Sequence, residues 1–409
     1  MHPHPAAPEA DLLREALELA PVTDIRLLSR EPLGSGTVAG FLVTEAPAGA
    51  DTAAPAADAE APAADADARA TDTAGVGVTY FVDTSRRPVE RETGLATGPA
   101  EAPDARIWLH PADPHLPSLA PVAFADAAAV LLTRLGLSPS GPPVFVAYRP
   151  GRRGVVRVPT TTGDAWVKVL PPARTRRIVD IHTALARAGV PVPAIHGWSE
   201  EGLLVLAPAA GRPVADALGD AECLLDEVDA LRRRIAAVPV THEARTGLER
   251  RLDWYAGRLR TYDGAFGALE SRVRKAWRDA APTTVIHGDL HFGQLFQDDG
   301  GRLTAVIDVD TAGVGVPADD SAAFLAHAVA SALITPAPRD ELVWTLARAA
   351  LRRWDDDAGR AQGFRARAAT HLLGHALGAA EMREDARAAA LLRAAASVVD
   401  QPADALGRT

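Results

Sequence analysis

The chain has almost no lysine, cysteine or methionine. Two of its 409 residues are lysine, Lys168 and Lys275, two are methionine, and Cys223 is the single cysteine. One cysteine excludes an intrachain disulfide and any zinc site built on several cysteines, which suits a reducing compartment. No run of about 18 apolar residues occurs, and the start, Met-His-Pro-His-Pro-Ala-Ala-Pro, lacks the basic and apolar pattern of a leader. A cytoplasmic protein with no membrane partner is therefore expected. The 43 basic and 53 acidic side chains leave a net charge of −10, the opposite of the clustered basic surface that binds phosphate backbones, so no nucleic-acid partner is expected. Arginine supplies 43 − 2 = 41 of the basic residues. Any position that keeps lysine asks for a reason.

What is present is a globular composition. At 47% hydrophobic residues the chain can bury real cores, and its length suits two or three domains. Residues 46–75 are nearly all Ala, Pro, Asp, Thr, Gly and Glu, a composition that predicts a disordered loop. The β-type runs beside it, residues 37–44 and 76–82, predict two strands of one sheet. With an amphipathic helix around Leu12, Leu13, Ala16 and Leu17, residues 1–125 read as an α+β module. A second helix, from about Asp126, stops at Gly136.

Residues 126–207 then read as a β-rich lobe. Residues 144–148, 155–158 and 165–170 predict an antiparallel meander, followed by a helix from about Arg174 to Ala188 and another strand over residues 202–206. Beyond Pro208, residues 208–409 read as mostly helical, interrupted by two strand-like runs, residues 283–286 and 303–307. Each leads straight into polar residues: His287-Gly-Asp-Leu-His-Phe-Gly-Gln294 after the first, Asp308-Val-Asp310 after the second. Carboxylates just past strand ends sit on loops held by a rigid scaffold, where chemistry is usually done. Asp289 can take a proton from an attacking hydroxyl. The amide oxygen of Gln294, five residues on, and the carboxylate of Asp308 from the neighbouring strand form a ligand set for a hard cation such as Mg²⁺. Phosphoryl transfer needs this layout, because most of the protein's task is aligning nucleophile, phosphate and metal.

His287-Gly-Asp-Leu-x-x-x-Gln294 resembles the protein-kinase catalytic loop, with Gly for Arg and Gln for Asn. In that form, and with Ile307-Asp-Val-Asp followed by a Gly-rich turn and Pro317-x-x-Asp320, the chain looks like the aminoglycoside phosphotransferase and choline kinase-like family of small-molecule kinases. The His-x-Gly-Gln ending is similar to the maltokinase and glucosamine kinase branch. The resemblance covers about residues 140–390. It implies an α+β, protein-kinase-like fold of a small antiparallel β-rich lobe and a helical lobe, here with an additional N-terminal cap, and phosphorylation of a hydroxyl on a sugar, amino sugar or aminoglycoside-like molecule, with ATP as co-substrate and Mg²⁺ as cofactor. Asp289 would be the catalytic base, and Gln294 and Asp308 the metal ligands. Lys168 would meet the α- and β-phosphates, and the segment around Ala207 would form the hinge whose backbone reads adenine. Asp320 would cap a helix and anchor the loop.

Three departures leave alternatives open. Kinases pair the strand lysine with a glutamate on the following helix, but the inward stripe here is Arg174, Ile178, Ile181, His182 and Leu185, and Asp180 points away. Either Lys168 pairs with Asp308, or the helix moves on binding, or the chain is an impaired, nucleotide-binding pseudokinase. The hairpin turn 149–154 stands where a phosphate-covering loop belongs yet lacks its glycine pattern, and Gly34-Ser-Gly36 with Gly40 imitates that pattern at the wrong place. His287, Asp289 and His291 alternate, so an extended strand would converge them on one metal, as in a hydrolase. For an amino-sugar acceptor the candidate anchors are Asp355, Asp356, Asp357, Glu381, Glu384 and Asp385.

Overall fold

The computed structural model describes residues 8–44, 77–245, 247–264 and 266–407. The loop expected at 46–75 lies outside them. The described residues divide into two compact units, one within Met1–Arg177 and Ala194–Pro208, the other within Ile178–Pro193 and Ala209–Thr409.

The first unit opens with helix α1 (Pro8–Ala16) and a sheet of β1 (Asp24–Leu33), β2 (Gly36–Thr44), β3 (Val78–Asp83), β4 (Leu95–Thr97) and β5 (Ala105–Leu109), in the order β1-β2-β3-β5-β4. Strands β2 and β3, on either side of residues 46–75, pair antiparallel from Val38 with Asp83 to Val43 with Val78. The Gly34–Gly36 segment is the β1–β2 hairpin turn. Leu13, Phe41, Val82 and Ile107 form the core of this sheet.

Helices α2 (Leu119–Ala123) and α3 (Ala125–Arg134) lead to a second sheet in the same unit: β6 (Val144–Arg149), β7 (Arg153–Thr160), β8 (Gly163–Val169), β9 (Ile195–Ser199) and β10 (Leu203–Leu206), ordered β6-β7-β8-β10-β9. The period-2 pattern does its expected work here. Val156 and Val158 on β7, and Ala165, Val167 and Val169 on β8, bury one face, which leaves Trp166 and Lys168 on the other. Helix α4 (Pro172–Arg187) starts in this unit and ends in the next.

The second unit holds β11 (Arg212–Pro213), α5 (Ala221–Ala236), α6 (Leu248–Leu259), α7 (Phe266–Ala276), β12 (Thr284–Ile286), β13 (Leu295–Gln297), β14 (Leu303–Val306), β15 (Gly313–Gly315), α8 (Pro317–Ala332), α9 (Asp340–Trp354), α10 (Asp357–Ala361), α11 (Phe364–Glu381) and α12 (Asp385–Asp400). Pro317 at the first turn starts α8. Apart from Pro317, only His327 and Ser331 on α8 escape burial, the signature of a helix enclosed on nearly every side. Helix α11 is similar, but leaves His371, Gly374 and His375 half-buried and Gly378 exposed, at i, i+3, i+4 and i+7. The chain is therefore α+β, with antiparallel strands concentrated before residue 207 and helices after it.

Candidate active site

Two short ladders fix the loops that carry the chemistry. Strand β12 pairs with β15 and β13 with β14. Residues 287–294 join β12 to β13, and residues 307–312 join β14 to β15, so the two loops run side by side with both ends pinned. Between the ladders, the Ile307 N–H donates to the Gln294 carbonyl at 3.0 Å, and the Thr311 hydroxyl to the His287 carbonyl at 2.9 Å.

Asp320, in the first turn of α8, anchors the first loop. Its carboxylate accepts the N–H groups of His287 at 2.9 Å and Gly288 at 2.7 Å. It does not cap the helix: the N-cap position belongs to Val316. Gly288 has φ +86°, and a Cβ there would stand 2.9 Å from the Thr311 carbonyl oxygen. Glycine at the second loop position is thus a steric requirement.

His287 is fully buried, and its Nε2–H donates to the Ile307 carbonyl at 3.0 Å. Convergence of His287, Asp289 and His291 on one metal is therefore corrected: His287 spends its ring on the neighbouring loop. Among the described residues, no three His, Cys, Asp or Glu side chains are grouped to hold a metal ion.

Asp289 is half-buried and lies beside α8, with its Oδ1 3.7 Å from His327 Nε2. The His327 ring stacks on His291, centroids 4.1 Å apart, and meets His375 edge-on at 4.7 Å. Burial alone would raise the Asp289 carboxyl, but His327 beside it, with the fields of His371 and His291, outweighs burial and holds it at about 2. Burial, reinforced by the neighbouring imidazoles, pushes His291 and His371 down to about 3 and His375 to about 4. At neutral pH an ionised aspartate thus stands among imidazoles, three of which are held neutral. On α6, burial and the charge of Asp289 push the Tyr255 phenol up, and its ring lies where a Cβ on Gly374 would fall. The motif reading did not reach His327, His371, His375 or Tyr255. His371-x-x-x-His375, two imidazoles one turn apart in an Ala- and Leu-rich segment, was the available signal.

The hydrogen bond across the ladder end makes Gln294 a direct neighbour of Ile307, and so places it next to Asp308. Asp308 is held at φ +62° and ψ +42°, a left-handed conformation that aspartate tolerates better than most residues and that is common at functional sites. Its side chain does not cap the turn that follows. Gln294 is buried, and its Oε1 accepts the His291 N–H at 3.3 Å. An amide oxygen and a carboxylate from adjacent strand ends are hard donors that fit Mg²⁺. The long bond to His291 occupies one of the two lone pairs of the amide oxygen.

In the first unit, Lys168 sits mid-sheet between Val155 of β7 and Leu204 of β10. Ala207 follows β10, and its N–H donates to the Ala194 carbonyl at 2.8 Å, which leaves its own carbonyl as the group able to face a base. On α4, Ile178, Ile181, His182 and Leu185 are buried and Asp180 is exposed, as the stripe predicts.

A cavity of about 740 Å³ reaches His291, Phe292 and Gly293 of the first loop and His327 and Ser331 of α8. Asp216 and Arg339 are the acidic and basic residues among its linings, beside the two imidazoles. The expected acidic anchors are not there. Asp355 pairs with Arg365 at 3.0 Å, Asp357 with Arg360, Glu381 with Arg258 and Glu384 with Arg387, each at 2.8 Å. Asp356 caps α10, and Asp385 is exposed on α12.

The sequence pattern of the phosphotransferase enzyme family matches residues 145–364, more than half of the chain. The chain belongs to that family. As a phosphotransferase of this kind it is a small-molecule kinase. The matched span takes in the second sheet, both loops and α8. Among solved structures, a thermostable mutant of aminoglycoside phosphotransferase APH(4)-Ia is 17% identical, over 66% of this chain and 97% of that one, with a TM-score of 0.49. A type I macrolide 2'-phosphotransferase is also 17% identical, over 66% and 95%, at 0.44. Macrolide 2'-phosphotransferase MphH from Brachybacterium faecium is 20% identical, over 68% and 99%, at 0.42. No curated protein matches. Among the described residues no helix is long and apolar enough to cross a membrane.

Proposed function

We propose that this phosphotransferase uses ATP and Mg²⁺ to phosphorylate a hydroxyl of a small molecule such as a sugar, amino sugar or aminoglycoside-like compound. The observation that carries the reading is the pair of pinned loops, one bearing an ionised Asp289 and the other Asp308 beside Gln294. In the proposed step, Asp289 accepts the proton of the acceptor hydroxyl while the acceptor oxygen bonds to the γ-phosphorus and the bond to the ADP oxygen breaks. A carboxyl held at about 2 is a weak base, which suits a loose transition state in which the proton leaves late and alignment matters more than basicity.

Asp308 and Gln294 would hold Mg²⁺, which when bound neutralises phosphate charge. Lys168 is assigned to the α- and β-phosphates, where a compact ammonium on a flexible stem reaches and a planar guanidinium fits less well. That assignment accounts for lysine in a chain that otherwise uses arginine. The Ala207 carbonyl is assigned to the nucleobase, and residues 1–125, 126–207 and 208–409 to cap, β-rich lobe and helical lobe.

The cavity beside His291 and His327 is assigned to the acceptor. Its charges are one carboxylate and one guanidinium, and none of the acidic residues of α10 to α12 lines it, so uncharged hydroxyl compounds are expected to react faster than polyamines. The test is an ADP-release screen over monosaccharides, amino sugars, maltose and aminoglycosides, with and without Mg²⁺. Acceptor-dependent, Mg²⁺-dependent ADP release is expected. ADP release without Mg²⁺, or none with any acceptor in a protein that also fails to bind ATP, would sink the reading.

A further inference from the structure

The N-terminal sheet holds the β6–β7 turn by a buried polar node. Asp113, just after β5, is 1% exposed. Its Oδ2 accepts the Gly151 N–H at 2.8 Å and the Tyr148 hydroxyl at 2.9 Å, and its Oδ1 accepts the His115 N–H at 2.8 Å. His115 in turn meets Asp83 of β3 at 2.8 Å. A buried carboxylate is costly unless its lone pairs are filled, and here β6 and the turn after it supply two of the three bonds. Burial, with Asp113 beside it, pushes the Tyr148 phenol up, so that it stays a donor.

The packing agrees with the hydrogen bonds. The Tyr148 ring meets Phe81 of β3 edge-on at 5.3 Å and His110 at 4.9 Å. Gly151 has φ +66°, a conformation that favours glycine, and a Cβ there would stand 2.6 Å from Leu33 Cδ2 of β1, so the Leu33 side chain would have to shift. Two of the turn's arginines are engaged as well: Arg149 pairs with Glu31 at 2.8 Å, and Arg152 donates to the Pro32 carbonyl. Both are held by β1.

Strand β7 leaves this turn and pairs Val155 with Lys168 two residues later, so the turn is anchored immediately beside the lysine assigned to phosphates. We infer that Asp113 is a positioning residue, which fixes the β6–β7 turn against the N-terminal sheet and thereby sets the affinity for the nucleotide. The inference rests on the kinase reading of Lys168. A turn ordered in advance spares the nucleotide the entropy of ordering it, so loosening the anchor weakens ATP binding and leaves the chemical step alone.

The test uses the full chain and a fluorescent ATP analogue, alongside steady-state kinetics once an acceptor is in hand. Tyr148→Phe keeps the ring and removes one bond to Asp113. It should raise the Kd for the analogue and the KM for ATP about three- to tenfold, the weight of one hydrogen bond, with kcat within about twofold. Gly151→Ala, which strains the turn and displaces the Leu33 side chain, should weaken binding more than Tyr148→Phe. Asp113→Asn should bind more tightly than Asp113→Ala because it keeps one acceptor. If Tyr148→Phe and Gly151→Ala are folded and less heat-stable but bind the analogue as wild type does, the node is only structural and the inference fails. If wild type itself does not bind the analogue, the kinase reading fails first.

Discussion

At the scale of single residues, Asp289 carries the account. Its carboxyl is held at about 2, so its base form is present above the ordinary carboxylate range and is lost only as pH falls through about 2. The kcat/KM profile should therefore show no acid limb near pH 4 while the protein stays folded, and a limb centred there would contradict the environment described for Asp289. Lys168→Ala should raise KM for ATP and leave acceptor binding alone, with Lys168→Arg a poor rescue because the two cations differ in shape. Unchanged ATP kinetics in Lys168→Ala would return that lysine to an ordinary solvent-facing role. The loop residues were legible because motif and strand ends coincide at 287–294 and 308–310. His327 was not: a single histidine in a helical run carries no signal until the fold brings it 3.7 Å from Asp289. The engagement of the Ala207 N–H by Ala194 was equally hidden, because it depends on β9, whose segment Ile195-His-Gly-Trp-Ser lacks a clear strand pattern.

At the scale of elements, α8 and α11 position the site. Arg367 of α11 and Asp319 of α8 form a buried pair at 2.5 Å, and Arg367 also lies over the Trp277 ring at 4.9 Å. Removing one partner strands a buried charge, so Arg367→Ala should destabilise the fold by about 3–5 kcal/mol in denaturant titration. A loss below about 1 kcal/mol would mean that the charge is solvated after all. The α11 histidines set a pH dependence. His371 and His375 are held at about 3 and about 4, below their usual value, so between about pH 6.5 and 4 the unfolded chain binds more protons than the folded one. Stability from this source is present above about pH 6.5 and is lost as pH falls. Unfolding midpoints measured from pH 7 to 4 should fall less steeply in His371→Gln than in wild type, and parallel curves would contradict the burial assigned to that ring. The meander β6 to β8 was legible because its alternation is strict. β1 was not, since its residues are mostly exposed and its pattern irregular.

At the scale of the whole molecule, the scarcity of lysine and the charge of −10 stop being oddities of composition. The acidic excess does not mark the cavity assigned to the acceptor, because Asp355, Asp356, Asp357, Glu381, Glu384 and Asp385 are not among its linings. Binding of a polyanion is instead assigned to a few local groups and a metal. The family was legible from one loop and its partner segment. The anchoring of the N-terminal sheet to the β6–β7 turn was not, since it joins residues such as Asp113 and Gly151 that only folding brings together.

The most direct measurement is the turnover of Asp289→Ala against wild type, with ATP, Mg²⁺ and an acceptor found in the screen, following the phosphorylated product. If Asp289 is the base, kcat should fall roughly 10²–10⁴-fold with nucleotide binding kept. Full activity in that variant would contradict that assignment.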